Sequence, residues 1–113
     1  MLLLALPFLV ATVPEVVNST RTIDVTVSRY EFSPERIEVR AGERIRLNVV
    51  SVDGTHGFRV KALALKVSVP ASGKTVPLEF TPREVGTFAI DCSEYCGRGH
   101  RSMKALLIVT ARN

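Results

Sequence analysis

Tryptophan is absent from this chain, and cysteine, histidine and methionine occur only twice each. Two cysteines exclude a multi-disulfide scaffold. So few titrating and sulfur-bearing side chains also exclude a site assembled from many of them. No segment keeps apolar residues at a period of 3.6, which argues against a helical bundle. Missing as well are a block of like charges and the basic residues interleaved with aromatics that make a single-strand nucleic-acid platform. Nucleic acid is therefore not an expected partner. Any special chemistry has to come from one compact constellation.

What is present reads as one small domain of 113 residues, 46% apolar and 23% charged, with a net charge of +4. The basic residues, among them Arg29, Arg36, Arg40, Arg44, Arg46, Lys61, Lys66 and Lys74, are scattered. They read as a solvated basic surface, with attraction to an acidic partner or anionic lipid as the alternative. Residues 1–17 are apolar except for Pro7, Thr12, Pro14 and Glu15. The uninterrupted part is shorter than the roughly 20 residues a bilayer span requires. Residues 1–18 therefore read as an export signal or a short apolar leader, and 19–113 as the folded domain. Either reading places the domain in the periplasm or at the outer face of the cytoplasmic membrane.

After the leader, apolar and polar residues alternate with period two, the mark of half-buried strands. Ile23, Val25 and Val27 form one such series, Ile37 and Val39 a second, and Ile45, Leu47 and Val49 a third. Leu65 to Val69, Val76 to Phe80, Phe88 to Cys92 and Leu106 to Val109 complete the set. Ser33-Pro34, Ala41-Gly42, Asp53-Gly54, Pro70-Ala71-Ser72-Gly73, Thr81-Pro82 and Gly86 punctuate them as turns. About seven short strands at this spacing predict an all-β sandwich or small barrel.

The chemistry is concentrated in Cys92-Ser93-Glu94-Tyr95-Cys96-Gly97-Arg98-Gly99-His100-Arg101-Ser102-Met103. This stretch is predicted as a loop between a strand ending at Cys92 and one starting near Ala105. The other histidine, His56, falls in a turn, Asp53-Gly54-Thr55-His56-Gly57-Phe58. Loops distant in sequence gather at one end of a sandwich. Thiolate, imidazole and thioether donors together suit copper, not the oxygen-seeking magnesium, calcium or manganese. Structural zinc takes Cys and His and has no use for Met103. Two thiolates, two imidazoles and one thioether exceed a mononuclear tetrahedral centre and fit two metals sharing bridging thiolates. A Cys92–Cys96 disulfide stapling an exported sandwich is the alternative for the cysteine pair alone. His100 and Met103 at the following spacings argue against it.

The run Cys-x-Glu-x-Cys-Gly-x-Gly-His-x-x-Met closely resembles the dinuclear copper (CuA) motif of cytochrome c oxidase subunit II, also present in nitrous oxide reductase. The resemblance extends over about residues 22–111. It takes in Phe32-Ser33-Pro34, Ile37-Glu38-Val39, Ala41-Gly42, Asp53-x-x-His56-Gly57-Phe58, Val69-Pro70-Ala71-Ser72-Gly73 and Pro82-x-x-x-Gly86-x-Phe88. It is most similar to subunit II of ba3-type oxidases. The resemblance implies a cupredoxin-like Greek-key β-sandwich with metal loops at one end and two copper ions as cofactor. It implies Cys92 and Cys96 as bridging thiolates. His56 would bind one copper together with the backbone carbonyl of Glu94, and His100 the other with Met103 axial. Asp53, three residues before His56, is a candidate to orient that imidazole, its alternative being a plain Asp-Gly turn former.

The implied function is electron transfer, with a redox donor such as a c-type cytochrome and an oxidase subunit I as partners, and membrane association through such a complex. Subunit II chains commonly carry a tryptophan where cytochrome c delivers its electron, together with an acidic docking surface. This chain has no tryptophan and is net basic. A copper chaperone or storage module without redox turnover is the alternative function.

Overall fold

In a computed structural model of the chain, residues 2–9 and 19–112 are described. The first of these segments has no secondary structure, and its Leu2, Leu3 and Phe8 side chains face solvent. The rest of the expected leader, residues 10–18, lies outside the described residues. No helix of the described residues is long and apolar enough to cross a membrane.

Nine strands follow among the described residues: β1 (Arg21–Ser28), β2 (Glu31–Ser33), β3 (Arg36–Arg40), β4 (Ile45–Ser51), β5 (His56–Val60), β6 (Leu65–Val69), β7 (Val76–Phe80), β8 (Gly86–Asp91) and β9 (Lys104–Thr110). Two 3₁₀ turns, Lys61–Leu63 and His100–Ser102, are the only helical segments among those residues. The strands form two sheets, β2-β1-β4-β7 and β3-β9-β8-β5-β6. Within them β1 and β4 run parallel, as do β3 and β9, and the remaining pairs are antiparallel. The chain is thus a two-sheet β-sandwich, one of the two all-β architectures that the period-two pattern predicted.

Alternation decides which side chains meet between the sheets. Val25 and Val27 of β1, Ile45, Leu47 and Val49 of β4, Ile37 and Val39 of β3, and Leu107 and Val109 of β9 are all buried. Removing each such side chain from water is worth about 1.5–3 kcal/mol. Phe32 and Phe58 close the core edge to face, their ring centroids 5.7 Å apart. Pro77 is tolerated because β7 is the edge of the four-stranded sheet, where a missing N–H costs no ladder bond.

Two strands depart from the sequence expectation. β2 is only three residues long, too short for periodicity to show. β5 was expected as a turn, yet His56 is its first residue and four of its five residues are buried. It lies between β8 and β6 within the five-stranded sheet. Its outward face is covered at Gly57 by the backbone of Ser93 and Glu94. Burial on both faces erases the alternation that marks a half-buried strand. The metal-loop boundaries also move by one residue, because β8 ends at Asp91 and β9 begins at Lys104.

Candidate metal centre

His56 opens β5, and the turn that precedes it fixes the imidazole. Asp53 N–H donates to Ser51 Oγ, and Ser51 Oγ donates to the Gly54 carbonyl, closing a tight serine-type turn. From that corner Asp53 Oδ1 accepts from His56 Nε2 at 2.6 Å. An ionised carboxylate only accepts, so the imidazole proton sits on Nε2 and the lone pair on Nδ1. That Nδ1 is buried and has no hydrogen-bond partner. Burial opposes the charge on Asp53. The bonds from His56, the Arg29 N–H and the Gly54 N–H outweigh it and hold the carboxyl down at about 2.

The other donors come from the chain between β8 and β9. Cys92 and Cys96 are both buried and unlinked, their sulfurs 3.6 Å apart. Cys96 Sγ also lies 3.7 Å from His100 Nδ1 and 3.8 Å from Met103 Sδ. Cys92 Sγ lies 3.0 Å from the Glu94 carbonyl, which turns that main-chain oxygen toward the cluster. The ligand atoms of His56, Cys92 and Cys96 all fall within 4.8 Å of one another. Each residue expected at the site is therefore present at one end of the sandwich. Met103 and His56 are fully buried, whereas His100 is half-buried with the exposed Tyr95 ring 5.8 Å away.

Three further contacts hold this geometry. The Gly57 N–H donates to Cys92 Sγ at 3.4 Å, joining β5 to the cysteine loop. Arg59 and Asp91 face each other across β5 and β8 and form a two-pronged ion pair at 2.9 and 2.7 Å. The Arg59 bonds hold the Asp91 carboxyl below its ordinary range against its partial burial. At the 3₁₀ turn, the Ser102 N–H and hydroxyl both donate to the Gly99 carbonyl, so His100 and Met103 project from one rigid bend. Burial, and next the neighbouring Cys92, push the Cys96 thiol up to about 11. Two buried thiols close to an imidazole with an unpartnered nitrogen are a donor set suited to a soft cation, which has to displace the thiol protons to bind.

Cysteine and histidine spacing pointed to the ligand atoms. It did not reveal Gly57, Arg29 or Tyr30, which touch the loops from elements distant in sequence. Gly57 was legible only as part of the run His56-Gly57-Phe58. Arg29 and Tyr30 carried no local signal.

Comparison with known proteins agrees with this architecture. The model of the cupredoxin-like domain family matches residues 1–109. The chain belongs to that family. This cupredoxin-like domain is 32% identical over 88 residues to cytochrome c oxidase subunit 2 of Thermus thermophilus, covering 78% of this chain and 64% of that protein. The domain thus spans less than two thirds of that relative's length. Among solved structures, it is similar to the periplasmic domain of subunit II of cytochrome oxidase (CoxB) of Bradyrhizobium japonicum. The TM-score there is 0.71 at 22% identity, over 80% of this chain and 83% of that one. A chain of a heme-copper terminal oxidase dimer matches with a TM-score of 0.72 at 19% identity, over 84% of this chain and 68% of that one. At these identities the two structures share the fold.

Proposed function

We propose that this domain transfers electrons through a dinuclear copper centre held by His56, Cys92, Cys96 and His100, with Met103 and the Glu94 carbonyl as weak axial donors. One observation carries the reading: His56, whose buried Nδ1 has no hydrogen-bond partner, brings a ring nitrogen within 4.8 Å of two unlinked buried thiols. A buried imidazole nitrogen left without a partner costs about 1–3 kcal/mol, which a bound cation would offset. The soft donors favour copper over zinc. The likeness to cytochrome c oxidase subunit 2 over 78% of the chain supports the same reading.

Copper held by these residues would supply one-electron redox chemistry at the site. The protein's part is to hold the donors still through that change. Asp53 keeps the proton of His56 on Nε2 and the ring in one orientation. Gly57 supplies an N–H to the Cys92 sulfur. The buried positions of Cys92, Cys96 and Met103 exclude water and so limit solvent reorganisation. His100 is half-buried, with the exposed Tyr95 ring 5.8 Å away, and its near neighbours along the chain, Arg98 and Arg101, are exposed as well. This is the side from which a redox partner reaches the centre.

The partners that fit are a donor such as a c-type cytochrome and an oxidase subunit that accepts the electron, on the outer face of the cytoplasmic membrane. The apolar residues 1–18 fit an export leader or short anchor for that location. Copper titration of the thiol-reduced chain tests the reading. Two coppers per chain, a purple optical spectrum and a multi-line paramagnetic signal are expected. Saturation at one copper with a blue-type spectrum overturns it. Metal that binds but is released before it can be reversibly reduced assigns the domain to copper delivery or storage.

A further inference from the structure

The two-residue corner that joins β1 to β2 supplies no donor to the cluster, yet it touches both halves of it. The Arg29 N–H donates at 2.7 Å to Asp53 Oδ2, while Oδ1 of that same carboxylate holds His56. The Arg29 guanidinium Nε donates at 3.0 Å to the carbonyl of Cys96, 67 positions along the chain. The guanidinium packs close to Gly54, where a Cβ would stand only 2.7 Å from Nη2. Tyr30 then lays its ring against Gly97 and Gly99, and any side chain at either glycine would overlap it. Gly97, at φ +136°, also holds a backbone conformation that other residues rarely adopt.

We propose that Arg29 is a positioning residue that locks the His56 turn and the cysteine loop into one preformed site and raises its reduction potential. The inference rests on the copper reading above. Cys96 is the hub of the cluster, with three donor atoms within 3.8 Å of its sulfur. Anchoring its carbonyl therefore sets the spacing of the whole cysteine loop. The same side chain touches the turn that aims His56, so the halves are tied without metal. Its fixed positive charge stands beside Cys96. A nearby cation favours whichever state of the centre holds the extra electron, so the bond stabilises the reduced form.

The test uses the full chain as Arg29→Gln and Arg29→Lys, with Arg46→Gln, at a residue that pairs with Glu79 between β4 and β7, as a charge control. In the metal-free protein, iodoacetamide labelling of the buried thiols should run about tenfold faster in Arg29→Gln, the loss of one charged hydrogen bond. In the loaded protein its potential should fall below that of the unsubstituted chain. Arg29→Lys keeps the charge but loses the fork. It should recover most of the potential and little of the protection. An Arg29→Gln chain with unchanged labelling and potential overturns the proposal, as does an equal response in Arg46→Gln. An unsubstituted chain that binds fewer than two coppers overturns the copper reading instead, and the metal-free labelling still decides whether Arg29 ties the loops.

Discussion

Asp53 and His56, three residues apart, form a 2.6 Å bond that commits the imidazole before any metal arrives. The carboxylate accepts the hydrogen bond from Nε2–H, and Nδ1 is left without a hydrogen-bond partner inside the protein. Asp53→Ala strands the buried Nε2–H, at a cost of about 1–3 kcal/mol. Loss of such an orienting partner typically lowers metal affinity about 10–100-fold. Asp53→Asn retains an acceptor and should lose much less of both. Thermal unfolding of the metal-free chain and competitive copper titration measure the two effects separately.

Asp53 and Cys96 predict opposite limbs in pH. Asp53 is held at about 2 because its hydrogen bonds outweigh burial. The folded carboxyl takes a proton less readily than the unfolded one, whose ordinary value is about 3.9. Its contribution is therefore complete above about 4 and disappears as pH falls toward about 2. Cys96 is pushed up to about 11, first by burial. The unfolded thiol ionises earlier, so metal-free stability should fall as pH climbs from the ordinary thiol range toward about 11. Copper must displace that proton, so its affinity should rise with pH over the same interval. Denaturant melts across pH check both limbs. Asp53→Ala should flatten the acid one and Cys96→Ser the alkaline one.

Gly57 is required by close approach. A Cβ there would stand 2.7 Å from the Ser93 nitrogen and 2.8 Å from that of Glu94, and would overlap the Ser93 hydroxyl. Gly57→Ala must push the cysteine loop off β5 and break the N–H bond to Cys92. Overpacking of this kind costs about 1–3 kcal/mol. A loss of copper affinity larger than the loss in unfolding free energy is the expected pattern, read by titration and denaturant melts of the same preparation.

Met103 and His100 should separate by role. Met103 is fully buried, so Met103→Leu conserves volume and should cost less than about 1.5 kcal/mol. As an axial thioether it tunes more than it holds, so two coppers should remain bound with a shifted potential. His100→Ala removes a principal donor and should abolish the dinuclear spectrum while leaving the fold intact. Copper stoichiometry and voltammetry on both variants test this. Unchanged metal content and spectrum in both would show that the donors are assigned wrongly.

Most strands were legible because each carries one buried and one wet face, as in Ile37-Glu38-Val39 or Ile45-Arg46-Leu47. The donors were legible because Cys92, Cys96, His100 and Met103 are close along the chain and chemically unlike their neighbours. β5 was not, since the cysteine loop covers its outer face at Gly57 and removes the alternation. Asp53 was visible only as a candidate, because Asp-Gly also makes an ordinary turn.

The sequence by itself determined an all-β sandwich or small barrel and a cluster of soft donors, because periodicity and donor type are local properties of the chain. Only the tertiary structure decided that His56 opens a buried strand and that its imidazole lies within 4.8 Å of the two thiols. It alone brought Arg29 within 3.0 Å of the Cys96 carbonyl. Those relations depend on how β1, β5 and the loop after β8 meet at one end of the fold. Hydrogen bonds between residues tens of positions apart leave no periodic trace in either segment.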